Sequence, residues 1–160
     1  IPENNSSYRV LPSSKGLTLH PIEKEETNFK LCRIEDKTTI KAGHIQLDLH
    51  DGTNILIRAA DAKKPIEDVY HTLDTLKIGF QERNIINTAK LAKNAPVLLV
   101  GGKNVGKYGK IVEIEETTDQ KRRAQLVTVE DKNGNRFQTT INFVFVIGEI
   151  EPYISLPEAK

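Results

Sequence analysis

Gly101-Gly102-Lys103-Asn104-Val105-Gly106-Lys107 has the spacing with which a glycine-rich loop and a lysine hold a nucleoside triphosphate, and it follows the apolar run Val97–Val100. A loop of that kind needs a Ser or Thr next, for a magnesium ion, and a helix whose first amides face the phosphates. Here Tyr108 and Gly109 stand in that place, and the β-branched Ile111, Val112 and Ile114 oppose a helix. About fifty residues remain beyond it, too few for the βα crossovers of such an enzyme. His50 beside Asp51 has the pairing of a proton relay, but no Ser or Cys nucleophile sits in a recognisable setting. His20, His44, His50 and His71 are scattered, and the single Cys32 offers no ligand pair. The sequence therefore assigns no catalytic residue, no metal site, no cofactor and no small-molecule substrate.

The same glycines suit a different task. Gly101, Gly102, Gly106 and Gly109 lack a Cβ, so they permit a sharp corner between two strands and a close approach of backbone to a partner. Lys103, Asn104, Lys107 and Lys110 flank that corner as donors for a polyanion, and Tyr108 could stack on an exposed base. A solvated hairpin tip with a core-capping tyrosine is the plainer alternative, since surface lysines are common. Lys121-Arg122-Arg123 lies in the polar stretch Thr117 to Gln125, longer than a hairpin needs; it reads equally as an RNA-reaching loop or a solvent loop. Arg33, Lys37 and Lys41 with His50 form a weaker candidate face.

The elements that must position these groups are strands. Ile45, Leu47 and Leu49 alternate with polar residues, Asp51-Gly52 supplies a turn, and Ile55 to Ile57 returns. A tight two-residue loop would pair Leu47 with Leu56; a three-residue loop that pairs Leu47 with Ile57 and Leu49 with Ile55 keeps more apolar residues on one face and is favoured. Residues 65–92 carry mixed periods: Ile66, Val69, Tyr70, Leu73 and Leu76 fit a helix, whereas Leu76, Ile78 and Phe80 fit a strand, so a short helix or turn and then a strand are expected. From Pro96, strands are expected at Val97–Val100, Ile111–Ile114, Leu126–Val129, Arg136–Thr140 and Phe143–Ile147, with Asn133-Gly134 as a type I′ hairpin turn. Five short strands in about 55 residues suggest a small barrel.

The expected fold is thus all-β, with two small β-barrel-like modules in tandem: a central module at 28–92 and a second at 93–150. Residues 1–27, with Pro2, Pro12 and Pro21 around the turn Ser13-Ser14-Lys15-Gly16, read as an extended connector or hairpin, and 151–160 as a tail. The acidic run Glu23 to Thr27 reads as a solvated turn. No run approaches the ~18 apolar residues of a membrane helix, so no membrane partner is expected. Cys32, among Phe29, Leu31 and Ile34, reads as a buried structural thiol in a reducing, cytosolic setting. The 23 Lys and Arg against 22 Asp and Glu give a net charge of +1; residues 1–92 carry 13 of each sign, so only the second half leans positive, with 9 basic and 7 acidic residues in 93–150. Charge alone would not single out a nucleic-acid binder. The start at Ile1 has no initiator Met and no signal-peptide plan, so upstream sequence is expected to have been removed.

Gly106 to Glu113, a glycine-rich turn running into Gly109-Lys110-Ile111-Val112 and an acidic residue, resembles the KOW motif of ribosomal proteins and NusG-type transcription factors. The likeness extends further. Leu31-Cys32-Arg33-Ile34-Glu35-Asp36-Lys37-Thr38 and Ile45 to Leu56 resemble the central domain of the archaeal and eukaryotic small-subunit ribosomal protein family S-four-e. Gly101 to Gly106, Val144 to Gly148 and Ile154 to Glu158 fall in that family's order. The resemblance implies an SH3-like KOW barrel for the second module, small-subunit ribosomal RNA and neighbouring ribosomal proteins as partners, and a cytoplasmic, ribosomal location. It also implies an N-terminal S4-type RNA-binding domain beyond this chain. Leu73 departs from the pattern, which has a glycine before Asp74-Thr75-Leu76. The rival reading is a NusG-like transcription factor whose KOW module binds protein or RNA; the motifs from Leu31 to Leu56 argue against it.

Overall fold

The computed structural model describes residues 1–61, 66–115 and 125–157; their regular elements are twelve β-strands and short 3-10 turns, with no α-helix among the described residues. Strands β1 (Ser7–Ser13) and β2 (Gly16–Ile22) pair with Ser13 opposite Gly16. Gly16 takes φ +113°, and Ser13 Oγ closes the turn by accepting from the Lys15 amide (3.3 Å) and donating to the Gly16 carbonyl (2.9 Å). One face of this hairpin buries Leu11 against the body, while Tyr8, Val10, Leu17 and Leu19 lie exposed on the other.

The first five-stranded sheet contains β3 (Phe29–Thr39), β4 (Ile45–Leu49), β5 (Asn54–Ile57), β6 (Thr75–Gly79) and β7 (Ile85–Ala89), in the order β5-β4-β3-β6-β7. β3 is long enough to serve two neighbours: residues 29–33 pair with β6 and 34–39 with β4. A register shift between Ile34 and Asp36 bends it where it changes partner. Period-two alternation sends Cys32 and Ile34, then Ile45, Leu47 and Leu49, then Leu76 and Ile78 into one buried cluster. Each large aliphatic side chain in it stabilises the fold by roughly 1.5–3 kcal/mol, against the entropy of ordering the strands.

The second sheet is built from β8 (Pro96–Leu99), β9 (Tyr108–Ile114), β10 (Leu126–Glu130), β11 (Arg136–Thr140) and β12 (Val144–Val146), in the order β11-β10-β9-β8-β12. A 3-10 turn, Ile141–Phe143, buries Ile141 and carries the chain back so that β12 pairs with β8. Val97, Leu99, Ile111, Val127, Val129, Val144 and Val146 fill the interior. Both antiparallel sheets curl into β-barrel-like modules, the all-β fold the strand pattern predicts.

Several local expectations are corrected. The first hairpin closes on the expected three residues, His50, Asp51 and Gly52, but Leu47 faces Ile55 and Ile45 faces Ile57, a pairing shifted by two residues from the expected one with the same apolar face inward. Asn133-Gly134 is not a type I′ turn, because Gly134 (φ +81°) takes the left-handed region and Asn133 does not. The Asp131 carbonyl accepts from Gly134 (3.1 Å) and the Asp131 amide donates to Asn135 (3.0 Å), a three-residue loop of the same design as the first. Residues 66–73 hold turns and no helix, the second of the two forms expected there, and after strand β6 comes β7, which sequence periodicity does not isolate, across a register shift. Phe143 ends the 3-10 turn and does not start the last strand. Leu73, where a glycine fits the family pattern, indeed takes φ +73°; its burial in the second module's core offsets a strain of roughly 1–2 kcal/mol.

The two modules touch through a third apolar cluster, Leu11, Phe29, Leu98, Ile147 and Ile154. Arg33 crosses the same junction: its guanidinium donates to the carbonyls of Asn142 (2.8 Å) and Val144 (3.2 Å) and pairs with Glu35 (2.6 Å). The C-terminal segment folds back, with the Ser155 amide donating to Glu26 Oε1 (2.9 Å) and Ser155 Oγ 3.2 Å from His20 Nε2. Glu26, expected in a solvated turn, also pairs with Arg9. Burial raises its pKa, but the Ser155 and Arg9 hydrogen bonds win and hold it below the ordinary value. A lowered carboxylate pKa stabilises the fold above its unfolded value near 4.5 and loses that contribution as pH falls through the folded value. Glu26→Gln is therefore expected to cost about 1 kcal/mol at neutral pH. In thermal melts across pH, its difference from the parent should shrink toward pH ~3; a gap independent of pH would remove the carboxylate from this role.

Candidate nucleic-acid interface

The corner between β8 and β9 is closed by backbone bonds: Gly106 donates to the Leu99 carbonyl (2.8 Å), Leu99 to that of Lys107 (2.9 Å), and Lys107 to that of Asn104 (3.2 Å). Each glycine marks a close approach. A Cβ on Gly101 would lie 2.5 Å from the Phe143 ring and one on Gly102 (φ +75°) 3.1 Å from it. On Gly106 (φ +82°) it would lie 2.6 Å from Ser13 Cα at the end of β1, and on Gly109 2.1 Å from the Glu130 carbonyl oxygen of β10. The loop thus sits where the first hairpin, the 3-10 turn and β10 converge, which makes it a rigid platform. Lys107 is followed by strand β9 and opens no helix, so the amides that would hold a triphosphate lie in the strand region beside β8.

Lys103 and Lys110 are exposed, and their ammonium groups make no hydrogen bond or ion pair with the described residues. Lys107 Nζ lies 3.1 Å from Asn104 Oδ1 and 5.0 Å from the centre of the Phe137 ring. Tyr108 is half-buried against the apolar cluster between the modules, and Lys132 Nζ stands 5.9 Å from its ring centre. Lys132 and Phe137 escape sequence reading because they lie in a different hairpin. The signal is in the pairing: Glu130 lies opposite both Lys110 and Arg136, so the β10–β11 tip runs on past Gly109 toward Lys107. Asp131 also lies near this corner, with Oδ1 accepting from the amides of Asn133 (2.8 Å) and Asn135 (2.9 Å). The hydrogen bonds from Asn135 lead the causes that hold its pKa low, and Lys107 adds to them.

The first module's candidates are placed differently. Arg33 is committed to the junction between the modules, as described above. Lys37 Nζ pairs with Asp68 (2.7 Å) and donates to the Tyr70 carbonyl (3.0 Å). Lys41 is exposed in the 3-10 turn Lys41–Gly43. His50 Nδ1 accepts from the Arg33 amide (3.1 Å), and its ring meets Phe145 edge-on at 5.3 Å. Burial pushes the His50 pKa below its ordinary 6.5 against the attraction of Asp51, which weakens the ring as a cation for phosphate. Asp51 takes no part in a relay with it. Its oxygens accept from Lys30, Cys32 (3.4 Å) and Thr53 (2.6 Å); burial alone would raise its pKa, and these bonds hold it far below the carboxylate range. Cys32 is buried, and burial followed by the Asp51 charge pushes its thiol up to about 12, which keeps it protonated and unreactive. Lys121, Arg122 and Arg123 lie outside the described residues.

Fold and corner together define a class: an all-β protein of two barrel-like modules whose exposed lysines ring a rigid glycine-rich turn. Comparison with known proteins narrows this. The model of ribosomal family S4e matches residues 4–85, half of the chain, and that of the 40S ribosomal protein S4 C-terminus matches 131–160. The chain belongs to ribosomal family S4e. It is 50% identical to small ribosomal subunit protein eS4 of Staphylothermus marinus over 99% of this chain and 62% of that protein. To eS4 of Methanocaldococcus jannaschii it is 44% identical, over 98% of this chain and 62% of the relative. The crystal structure of 30S ribosomal protein S4e from Thermoplasma acidophilum aligns with a TM-score of 0.70 and 25% identity, covering 91% of this chain and 68% of that one. The chain thus spans about 62% of the length of the curated relatives it matches.

Proposed function

We propose that this chain is a structural, non-enzymatic part of the small ribosomal subunit in the cytoplasm, holding ribosomal RNA and lying among neighbouring ribosomal proteins. The supporting observation is the corner itself: Lys103, Lys107 and Lys110 are exposed around a turn that three separate elements hold in place. Structured RNA is bound chiefly through phosphates and 2′-hydroxyls, so preset ammonium groups and amides beside a stiff sheet are the tools required. In this reading 28–92 is the central module, 93–150 the KOW-like one, and 1–27 leads in from the rest of the family protein. The primary RNA contacts are Lys103, Asn104, Lys107 and Lys110, with Lys41 the exposed cation of the first module and Lys121, Arg122 and Arg123 candidates from sequence. Membership of the ribosomal family supports this reading over the NusG-like alternative.

Filter binding of the chain to small-subunit ribosomal RNA tests it. Retention at ~50 mM salt is expected, falling steeply toward ~200 mM as counterions compete for the phosphates. Failure to retain that RNA at the low-salt end would overturn the proposal.

A further inference from the structure

Resting on the RNA-binding reading, we infer that Lys107 and Lys132 form a built pair of backbone-phosphate ligands, each ammonium held in place by an aromatic ring, so that Tyr108 and Phe137 are positioning residues and not base-stacking platforms. Lys107 Nζ lies 5.0 Å from the Phe137 centre and Lys132 Nζ 5.9 Å from that of Tyr108, both within cation–π range. The two pairs cross: each lysine comes from the loop or tip of one hairpin and each ring from a strand of the other.

The rings are not free to receive a base. Phe137 packs against the second module's core and Tyr108 against the cluster between the modules, so each has apolar protein on one side and an ammonium on another. Both lysines are exposed at residue level, which leaves their outward N–H groups for a ligand. A lysine is usually a flexible point charge that loses much rotamer freedom on binding. Ring contact removes part of that freedom in advance, which is how preorganisation raises affinity without adding a contact. Asn104 Oδ1 orients Lys107 further at 3.1 Å. Asp131, the nearby carboxylate, has its oxygens engaged by the Asn133 and Asn135 amides and by Asn135 Nδ2 (3.0 Å) and is not directed at the lysines by any hydrogen bond. A phosphate chain is the ligand chemistry that fits two fixed ammonium groups on the same corner as Lys103 and Lys110, whose ammonium groups have no partner among the described residues; base identity would not be read here.

The test is a salt series of filter binding on small-subunit ribosomal RNA, with thermal melts confirming that each variant folds. Lys107→Gln and Lys132→Gln should each reduce the slope of log K against log salt by about 0.7–0.9, one phosphate contact apiece, whereas Lys24→Gln, an exposed lysine of the turn before β3, should leave it unchanged. Tyr108→Leu and Phe137→Leu should weaken binding about two- to fivefold with the slope retained, and Tyr108→Phe should bind as the parent does. If the parent binds RNA and either lysine variant keeps the full slope, the pair is refuted while the RNA-binding reading stands. If Tyr108→Phe loses as much affinity as Tyr108→Leu, the ring is acting through its hydroxyl and the inference fails. A parent that retains no RNA at ~50 mM salt overturns both.

Discussion

Gly109→Ala is expected to destabilise the chain by about 3 kcal/mol, because its new methyl group would lie 2.1 Å from a backbone oxygen that cannot rotate away. The Glu130 carbonyl belongs to β10, paired with β9 through Glu130 and Lys110, so relief requires the two strands to separate. That separation breaks ladder bonds and opens the interior around Val129 and Ile111. For a chain of this length, 3 kcal/mol corresponds to a melting temperature lower by about 6–12 °C. Gly134→Ala is an informative comparison, since that glycine also lies in the second module but has nothing within 4 Å of its missing Cβ. Its cost should be confined to the left-handed φ, about 1–2 kcal/mol. Equal losses for the two variants would mean that conformational freedom, and not contact with β10, is what Gly109 supplies.

Arg33→Met is expected to cost about 2–4 kcal/mol and to loosen the junction between the modules. The Arg33 side chain is 13% exposed, and its guanidinium serves Asn142, Val144 and Glu35 together. Methionine fills most of the space, so the loss reports the guanidinium's hydrogen bonds and its ion pair with Glu35. Arg33→Lys should recover little, because one ammonium cannot span a carboxylate and two carbonyls with the guanidinium's fixed fork. Denaturant unfolding checks this through a lower midpoint and a broader or split transition as the modules cease to unfold together. An unchanged midpoint would assign the junction entirely to the apolar cluster of Leu11, Phe29, Leu98, Ile147 and Ile154.

Much of the architecture was legible in local sequence. Ile45, Leu47 and Leu49 alternate so cleanly that only one face of β4 can go inward, and Asp51-Gly52 marks the turn that follows. The glycine pattern at 101–109 announces a tight corner for the same reason, since positive φ and missing Cβ atoms are properties of single residues. Residues 66–89 were harder to read. Leu73 is apolar like its helical-period neighbours, yet it takes a left-handed conformation and packs into the other module's core, so its role depends on residues far away in sequence. Glu26 looked solvated because its partners, Arg9 and Ser155, are 17 and 129 residues distant.

The same division holds for the candidate site. Residue pattern and spacing determined an all-β chain and a cationic glycine corner, and the resemblance of its motifs to a known family pointed to the class of partner to be tested. Only the tertiary structure decided which cations are available. Arg33 and Lys37 are drawn into internal contacts, burial lowers the His50 pKa, and Lys132 is brought in from another hairpin over the ring of Tyr108. Residue type sets what a side chain can donate, but whether it faces solvent or a carbonyl depends on long-range strand pairing. Here the hairpin register carries Lys132 toward the corner, while the junction between the modules engages Arg33.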